Sequence, residues 1–378
     1  MKFRLDRDTL ADAVAWVARG LPARPPAPVL AGLHLTAAAD DGGSLAMAAF
    51  DYEISARAEL VAEVIEGGEV LVSGRLLTEI SRLLPEQPVV VEIDGPRAIL
   101  TCGTSTFTLP CMPLEDYPTL PPMPAKIGAV ESSAFAQAVS QTALAATKDE
   151  TLPLLTGVMI EFGPEKLTFL ATDRYRLAIR EIPWTSTDPE VSAMALVKAK
   201  TLQDLAKAFP HTEQVSLALS PGGGSEIIGF EAQGRHSTSL LIQGDYPAVR
   251  RLLPTGATSG AVVSVPALVE AVRRVSLVAD RNTPLQIAFS AGEAVLNAGS
   301  GDDAKASEVI EATLTGEDIA VAFNPGYLID GLSVITSPYV HVAMSGVTKP
   351  VLFQGKDSVD GQLVPDFQYL LVPIRFAV

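Results

Sequence analysis

Three pairs of cations raise the first chemical question. Arg75 and Arg82 stand seven residues apart in "VLVSGRLLTEISRLLP", and Lys200 and Lys207 hold the same two slots in "ALVKAKTLQDLAKAFP". Arg274 and Arg281 are again seven apart in "PALVEAVRRVSLVADR". Seven residues is close to two helical turns, so each pair lies along one helix face. Cations in such a row can neutralise nucleic-acid phosphates without reading bases. Taken singly, each pair also fits an ordinary solvated helix face. Recurrence at equivalent slots favours a shared ligand, because the chain as a whole carries a net charge of −16. Such a total argues against nucleic acid unless the cations gather where the ligand passes.

The segments that carry these pairs are amphipathic. Leu76, Leu77, Ile80, Leu83 and Leu84 read as the buried side of the first, and Leu202, Leu205 and Phe209 as that of the second. Leu268, Ala271, Val272 and Val275 form one stripe in the third. A weaker version of the strand–helix phrase, "IAVAFNPGYLIDGLSVI", has Gly326 and Ser333 in the cationic slots. Other phrases also come in threes. A first helix is predicted at Thr9–Leu21, Ser133–Ala146 and Pro266–Arg281, each followed by alternating, turn-broken strands. The phrase "DYPTLP" returns as "DYPAVRRLLP". The repeat is about 126 residues, a third of the 378. It predicts an α+β chain of three similar domains, 1–126, 127–256 and 257–378, each with two helices packed on antiparallel sheets.

The totals bound the class. Apolar runs fall short of the roughly 20 residues that cross a bilayer, and "MKFRLDRDTL" has charges where a signal peptide is apolar. The two cysteines, Cys102 and Cys111, suit a reducing cytoplasm. Four histidines scattered along the chain give no metal-ligand spacing. "PGGGSE" lacks the Gly-Lys-Ser/Thr of a phosphate cradle and reads as a hairpin turn. With no nucleophile or acid–base constellation, the sequence predicts no enzyme, no cofactor, no metal and no membrane partner.

Six phrases, in order, carry a resemblance over essentially the whole chain: "MKFRLDRDTL", "ARPPAPVLAG", "ATDRYRLA", "DYPAVRRLLP", "FNPGYLIDGL" and "LVPIRF". The sequence resembles the bacterial DNA polymerase III beta subunit, the sliding clamp, in its actinobacterial form. That resemblance implies a head-to-tail homodimer closed into a ring, with helices lining the hole and sheets outside. Duplex DNA would pass through, held topologically and without sequence preference, and the chain would act as a processivity factor in the cytoplasm, at the nucleoid. The DNA-facing residues implied are Arg24, Arg75, Arg82, Lys148, Lys200, Lys207, Arg274 and Arg281. Phe107 and Leu109 on one side, and Leu277 and Val278 on the other, match the family's dimer contacts, with plain core burial as the alternative.

The same resemblance implies partners: the clamp loader, the replicative polymerase alpha subunit and other proteins with clamp-binding motifs. Their short segments would enter an apolar pocket matched here by Leu155, Thr172, Arg174, Tyr175, Arg176, Leu177, Pro247, Leu252, Leu370, Val372, Pro373, Ile374 and Arg375. Taken alone, "ATDRYRLA" is a strand and turn with Leu177 in a core. Many clamps have Gly-His at Arg174-Tyr175 and end soon after Met-Pro-Met-Arg-Leu, whereas this chain ends "VPIRFAV". The altered pocket raises the alternative of a duplicate clamp that tolerates a pocket-binding inhibitor. A peptide-binding scaffold that needs no DNA is the other alternative, and its cations would be dispensable.

Overall fold

The computed structural model describes residues 1–39, 42–209, 212–220, 226–254, 256–278, 283–299 and 304–375. Six α-helices occur among them: α1 Arg7–Val17, α2 Gly74–Leu83, α3 Ser132–Ala143, α4 Ala199–Ala208, α5 Val265–Val275 and α6 Pro325–Ser333. They fall two to each third of the chain. Local chemistry sets their starts. The Asp6 carboxylate accepts from the amides of Asp8 and Thr9 at 2.8 and 3.1 Å, capping α1. Asn324 Oδ1 accepts from Tyr327 N at 3.1 Å, with Pro325 in the first turn of α6. The predicted first helix of the last third is shorter than its sequence pattern. α5 ends at Val275 and passes into a tight turn of helix over Ser276–Val278.

The chain forms two compact units. The first comprises Met1–Ser132, Ser186–Asp188 and Lys207–Leu241, and is built on a fourteen-stranded sheet in which the registered pairs are antiparallel. α1 buries Leu10, Ala13, Val14, Trp16 and Val17 there. The Trp16 indole completes its polar needs by donating to Arg57 O at 2.9 Å. The second unit comprises Ser133–Thr185, Pro189–Ala206 and Ile242–Val378, on a twelve-stranded sheet of the same kind. The predicted stripe of Leu268, Ala271, Val272 and Val275 is buried along α5, each leucine or valine contributing about 1.5–3 kcal/mol when fully withdrawn from water. α6 approaches the sheet so closely that a Cβ at Gly331 would lie 2.1 Å from the Tyr369 ring. Tyr369 Oη in turn donates to Tyr327 O at 2.7 Å, which fixes the height of α6 over its strand.

One stripe differs from its sequence reading. On α2, Leu77 and the following Leu84 are buried, but Leu76 and Leu83 are 42% and 83% exposed. At about 100° per residue, positions 76 and 83 fall beside 75 and 82, on the wet side, while 77 and 84 share the core side. No helix among the described residues is long and apolar enough to cross a membrane.

Candidate functional site

In the second unit, the strands Lys166–Thr172 and Arg176–Pro183 meet in a tight turn. Besides the backbone bond from Asp173 N to Arg176 O at 3.4 Å, the turn is held by its own side chains. Thr172 Oγ1 donates to Arg176 O at 2.6 Å and accepts from Arg174 N at 3.2 Å. Asp173 Oδ1 accepts from the amides of Tyr175 and Arg176 at 3.0 and 3.1 Å. Arg174 therefore adopts φ +79°, a left-handed conformation that favours glycine. Arg176 locks the turn to its surroundings: Nε donates to Asp173 Oδ2 at 2.9 Å, and Nη1 to Asp330 Oδ2 on α6 at 2.7 Å. Its guanidinium carbon lies 4.3 Å from the centre of the Tyr327 ring. Burial works against the Arg176 charge, yet Asp330, Tyr369 and Asp173 outweigh it and raise its pKa.

Beside this turn runs the C-terminal strand Leu363–Leu371 and the segment that follows. Leu177 and Leu370 face each other across the two strands, and both are buried in a cluster with Met159, Ile179, Val249 and Leu352. Val372 N donates to Tyr175 O at 2.8 Å, and Ile374 N to Ala322 O at 2.8 Å. These bonds bring Val372, Pro373 and Ile374 alongside the turn. Thr172, Leu155 and Pro373 are buried, Val372 and Ile374 half-buried, and Arg174, Pro247 and Arg375 exposed. Tyr175 and Leu252 are 53% and 50% exposed. The Tyr175 ring stacks on Tyr327 with centres 6.2 Å apart. The matched residues thus combine buried Leu155, Thr172, Leu177, Leu370 and Pro373 with exposed Arg174, Tyr175, Pro247, Leu252 and Arg375 around them.

The first unit writes the same seam in different chemistry. The Asp51 Oδ1 there accepts from Glu53 N and Ile54 N at 2.9 and 2.7 Å, and Tyr52 adopts φ +75°. Leu240 N donates to Glu53 O at 2.8 Å, the counterpart of the Val372 bond. Where Leu177 faces Leu370, however, Ser55 faces Thr238, with hydroxyl oxygens 2.6 Å apart and buried. Ser237 Oγ adds a bond to Ser55 O at 2.8 Å. The backbone is duplicated; the apolar floor is not. This contrast, which the sequence reading did not reach, makes the second seam the apolar one of the two.

The candidate cations differ in their surroundings. Arg75 and Arg82 on α2, and Lys200 and Lys207 on α4, are exposed, as are Arg24 and Lys148. Arg75 meets Glu79 one turn on at 3.0 Å, with its side chain 87% exposed. Arg274 is different: Nε and Nη2 donate to Glu308 at 3.0 and 2.6 Å, and Glu270 lies at 3.7 Å. The Arg274 bond holds the Glu308 carboxyl below its usual range. Arg274 is thus locally neutralised, by a strand residue that no helix pattern reveals. Arg281 lies outside the described residues. Of the interface candidates, Leu277 is 84% exposed and Leu109 only 2%, while Phe107 and Val278 are half-buried. Leu109 is thus buried within the chain, on the same strand as Phe107.

Among the described residues several strand edges stand open, including two in the first and last thirds of the chain. Ser105–Met112 pairs over residues 105–110 with Arg97–Cys102 alone, and meets Gly68–Ser73 only at Cys111 and Met112. Ala306–Gly316 pairs over 306–311 with Gly292–Ala298 alone, since its other partner, Ser259–Ser264, begins at Ala312. Among the described residues no group of three His, Cys, Asp or Glu side chains could hold a metal ion.

Comparison with known proteins gives a consistent result. Family descriptions of the DNA polymerase III beta subunit match in order: N-terminal domain at residues 1–121, central domain at 129–248 and C-terminal domain at 250–373. The chain is 52% identical over 378 residues to the beta sliding clamp of Streptomyces coelicolor, covering 100% of both. It is 41% identical over 376 residues to the beta sliding clamp homolog GriR of Streptomyces muensis, again covering 100% of both. The crystal structure of the DNA polymerase sliding clamp from Bacillus subtilis superposes with a TM-score of 0.91 at 25% identity, covering 100% of each chain.

Proposed function

The chain belongs to the DNA polymerase III beta subunit family, the bacterial sliding clamps, which are non-catalytic processivity factors, and on that premise we propose that two copies close head to tail around duplex DNA. The three domains are taken as 1–126, 127–256 and 257–378. A head-to-tail contact is heterologous and yields a ring only if its rotation closes. The observation that carries this reading is the pair of open strand edges, one in the first third and one in the last. An unpaired edge is a liability unless another strand covers it, and each of these sits in a third of the chain that also carries an exposed leucine, Leu83 in one and Leu277 in the other. Pairing edge to edge between copies would satisfy both.

Arg24, Arg75, Arg82, Lys148, Lys200 and Lys207 would then offer phosphates a sparse, non-specific set of contacts. Sparse is the useful number, because every added contact steepens both affinity and salt dependence, whereas sliding needs a weak grip. The loader, the polymerase alpha subunit and other motif-bearing partners would dock by an apolar tip at the Leu177–Leu370 seam. Full-length identity of 52% to a beta sliding clamp supports reading the chain as an ordinary clamp. The test is joint: light scattering for the dimer, and retention on closed circular DNA after loading. A monomer, or a dimer that never stays on circles, would remove the proposal.

A further inference from the structure

This inference rests on the peptide-docking reading of the second seam and deepens it. Three arginines around that seam are held in ion pairs. Arg176 is paired with Asp173 and Asp330, Arg180 with Asp366, and Arg250 with Glu161. Arg174 is exposed, and among the described residues it has no carboxylate within ion-pair distance. Its guanidinium carbon lies 5.8 Å from the centre of the Tyr175 ring, at the outer limit of a cation–π contact. The hydrogen bonds of Thr151 and, more weakly, the Arg174 charge hold the Asp149 carboxyl below its usual range, yet Arg174 is not closed into an ion pair and stays exposed.

The fold does not require arginine there. The backbone at 174 is left-handed, the region in which a side chain is least at ease and glycine most. In the first unit the same turn carries Tyr52 at φ +75°, so the conformation is satisfied without a charge. What both turns need is the preceding aspartate, which ties down the next two amides. The turn therefore presents the residue at 174 on a rigid base, and the identity of that residue is left free for recognition. The fixed base also lowers the entropy lost when the guanidinium finds a partner.

We propose that Arg174 is a specificity-determining residue, selecting partner segments that carry a carboxylate next to the aliphatic–aromatic tip seated on Leu177 and Leu370. An Arg–carboxylate contact at such a half-wet rim is charge-assisted and geometrically selective, yet screened enough to tune affinity without dominating it.

Two synthetic peptides with one common tip, flanked by Asp in one and Asn in the other, decide the matter by fluorescence titration against the full-length protein. The wild type should prefer the acidic peptide by about 3- to 10-fold at low salt, and the preference should shrink as salt rises. In R174Q and R174G it should vanish, through loss of affinity for the acidic peptide; R174G should keep its melting temperature, because φ +79° suits glycine. A preference that persists in R174Q, or equal loss of both peptides, overturns the assignment and makes Arg174 a structural residue. If neither peptide binds the wild type, the docking reading itself fails and this inference with it.

Discussion

Replacing Asp173 with alanine tests the second seam against an internal control, Asp51→Ala, at the duplicated turn. Asp173 is 8% exposed and its carboxylate serves two amides and the Arg176 guanidinium at 2.9–3.1 Å. Stripping one partner from a largely buried ion pair costs about 3–5 kcal/mol. Arg176 keeps Asp330, so the lower end applies, about 3 kcal/mol. Asp51 serves two amides only, at 2.9 and 2.7 Å, with Ile54 in the slot of Arg176. Its loss should cost about 1–2 kcal/mol. Denaturant midpoints should therefore fall further for Asp173→Ala than for Asp51→Ala. Binding of a consensus clamp-binding peptide should weaken about tenfold or more in the first, equivalent to about 1.4 kcal/mol, because the turn positions Tyr175 and its bond to Val372. In the second it should not change. Equal loss in both variants, or full binding by Asp173→Ala, would refute the assignment of the apolar seam as the docking site.

Reversing Lys200 and Lys207 to glutamate should weaken loading and retention on DNA while the dimer persists, since both are exposed on one helix; unchanged retention would favour a scaffold that needs no DNA. Leu277→Asp should leave the unfolding midpoint of the chain in place, because that side chain is 84% exposed, yet give a monomer by light scattering; a persistent dimer would place the interface elsewhere. His341 supplies a pH signature: burial and then the nearby Lys356 push its pKa below the usual value, so the unfolded chain takes up its proton first. Stability from this residue should be intact above about pH 6.5 and decline as pH falls toward the folded pKa. Thermal melts of His341→Gln should lose that part of the acid-side slope.

Much of the architecture was written in the repeat. The cationic slots at 75 and 200 do fall at matching positions, each the second residue of its helix, and the stripe of α5 is buried as its spacing requires. The turn at Asp173 could be read as a turn, but its strain could not, because φ +79° at Arg174 depends on bonds from Thr172 and Asp173 that only the folded strands bring into place. Burial at the margins was the least legible. Leu83 and Leu84 are neighbours in sequence, yet one is 83% exposed and the other 2%, a difference set by one step around a helix. Arg274 lost its freedom to Glu308, 34 residues away on a strand. The contrast between Leu177–Leu370 and Ser55–Thr238 needed the registers of two separate strand pairs, which no local pattern contains.

Release from DNA measures the central claim most directly. Protein loaded on nicked circular plasmid should stay bound through a high-salt wash and leave within the dead time once a restriction enzyme linearises the circle, because a closed ring can escape only at an end. Equal release rates from circles and cut molecules would mean that the chain grips DNA by contact, and the encircling ring would have to be abandoned.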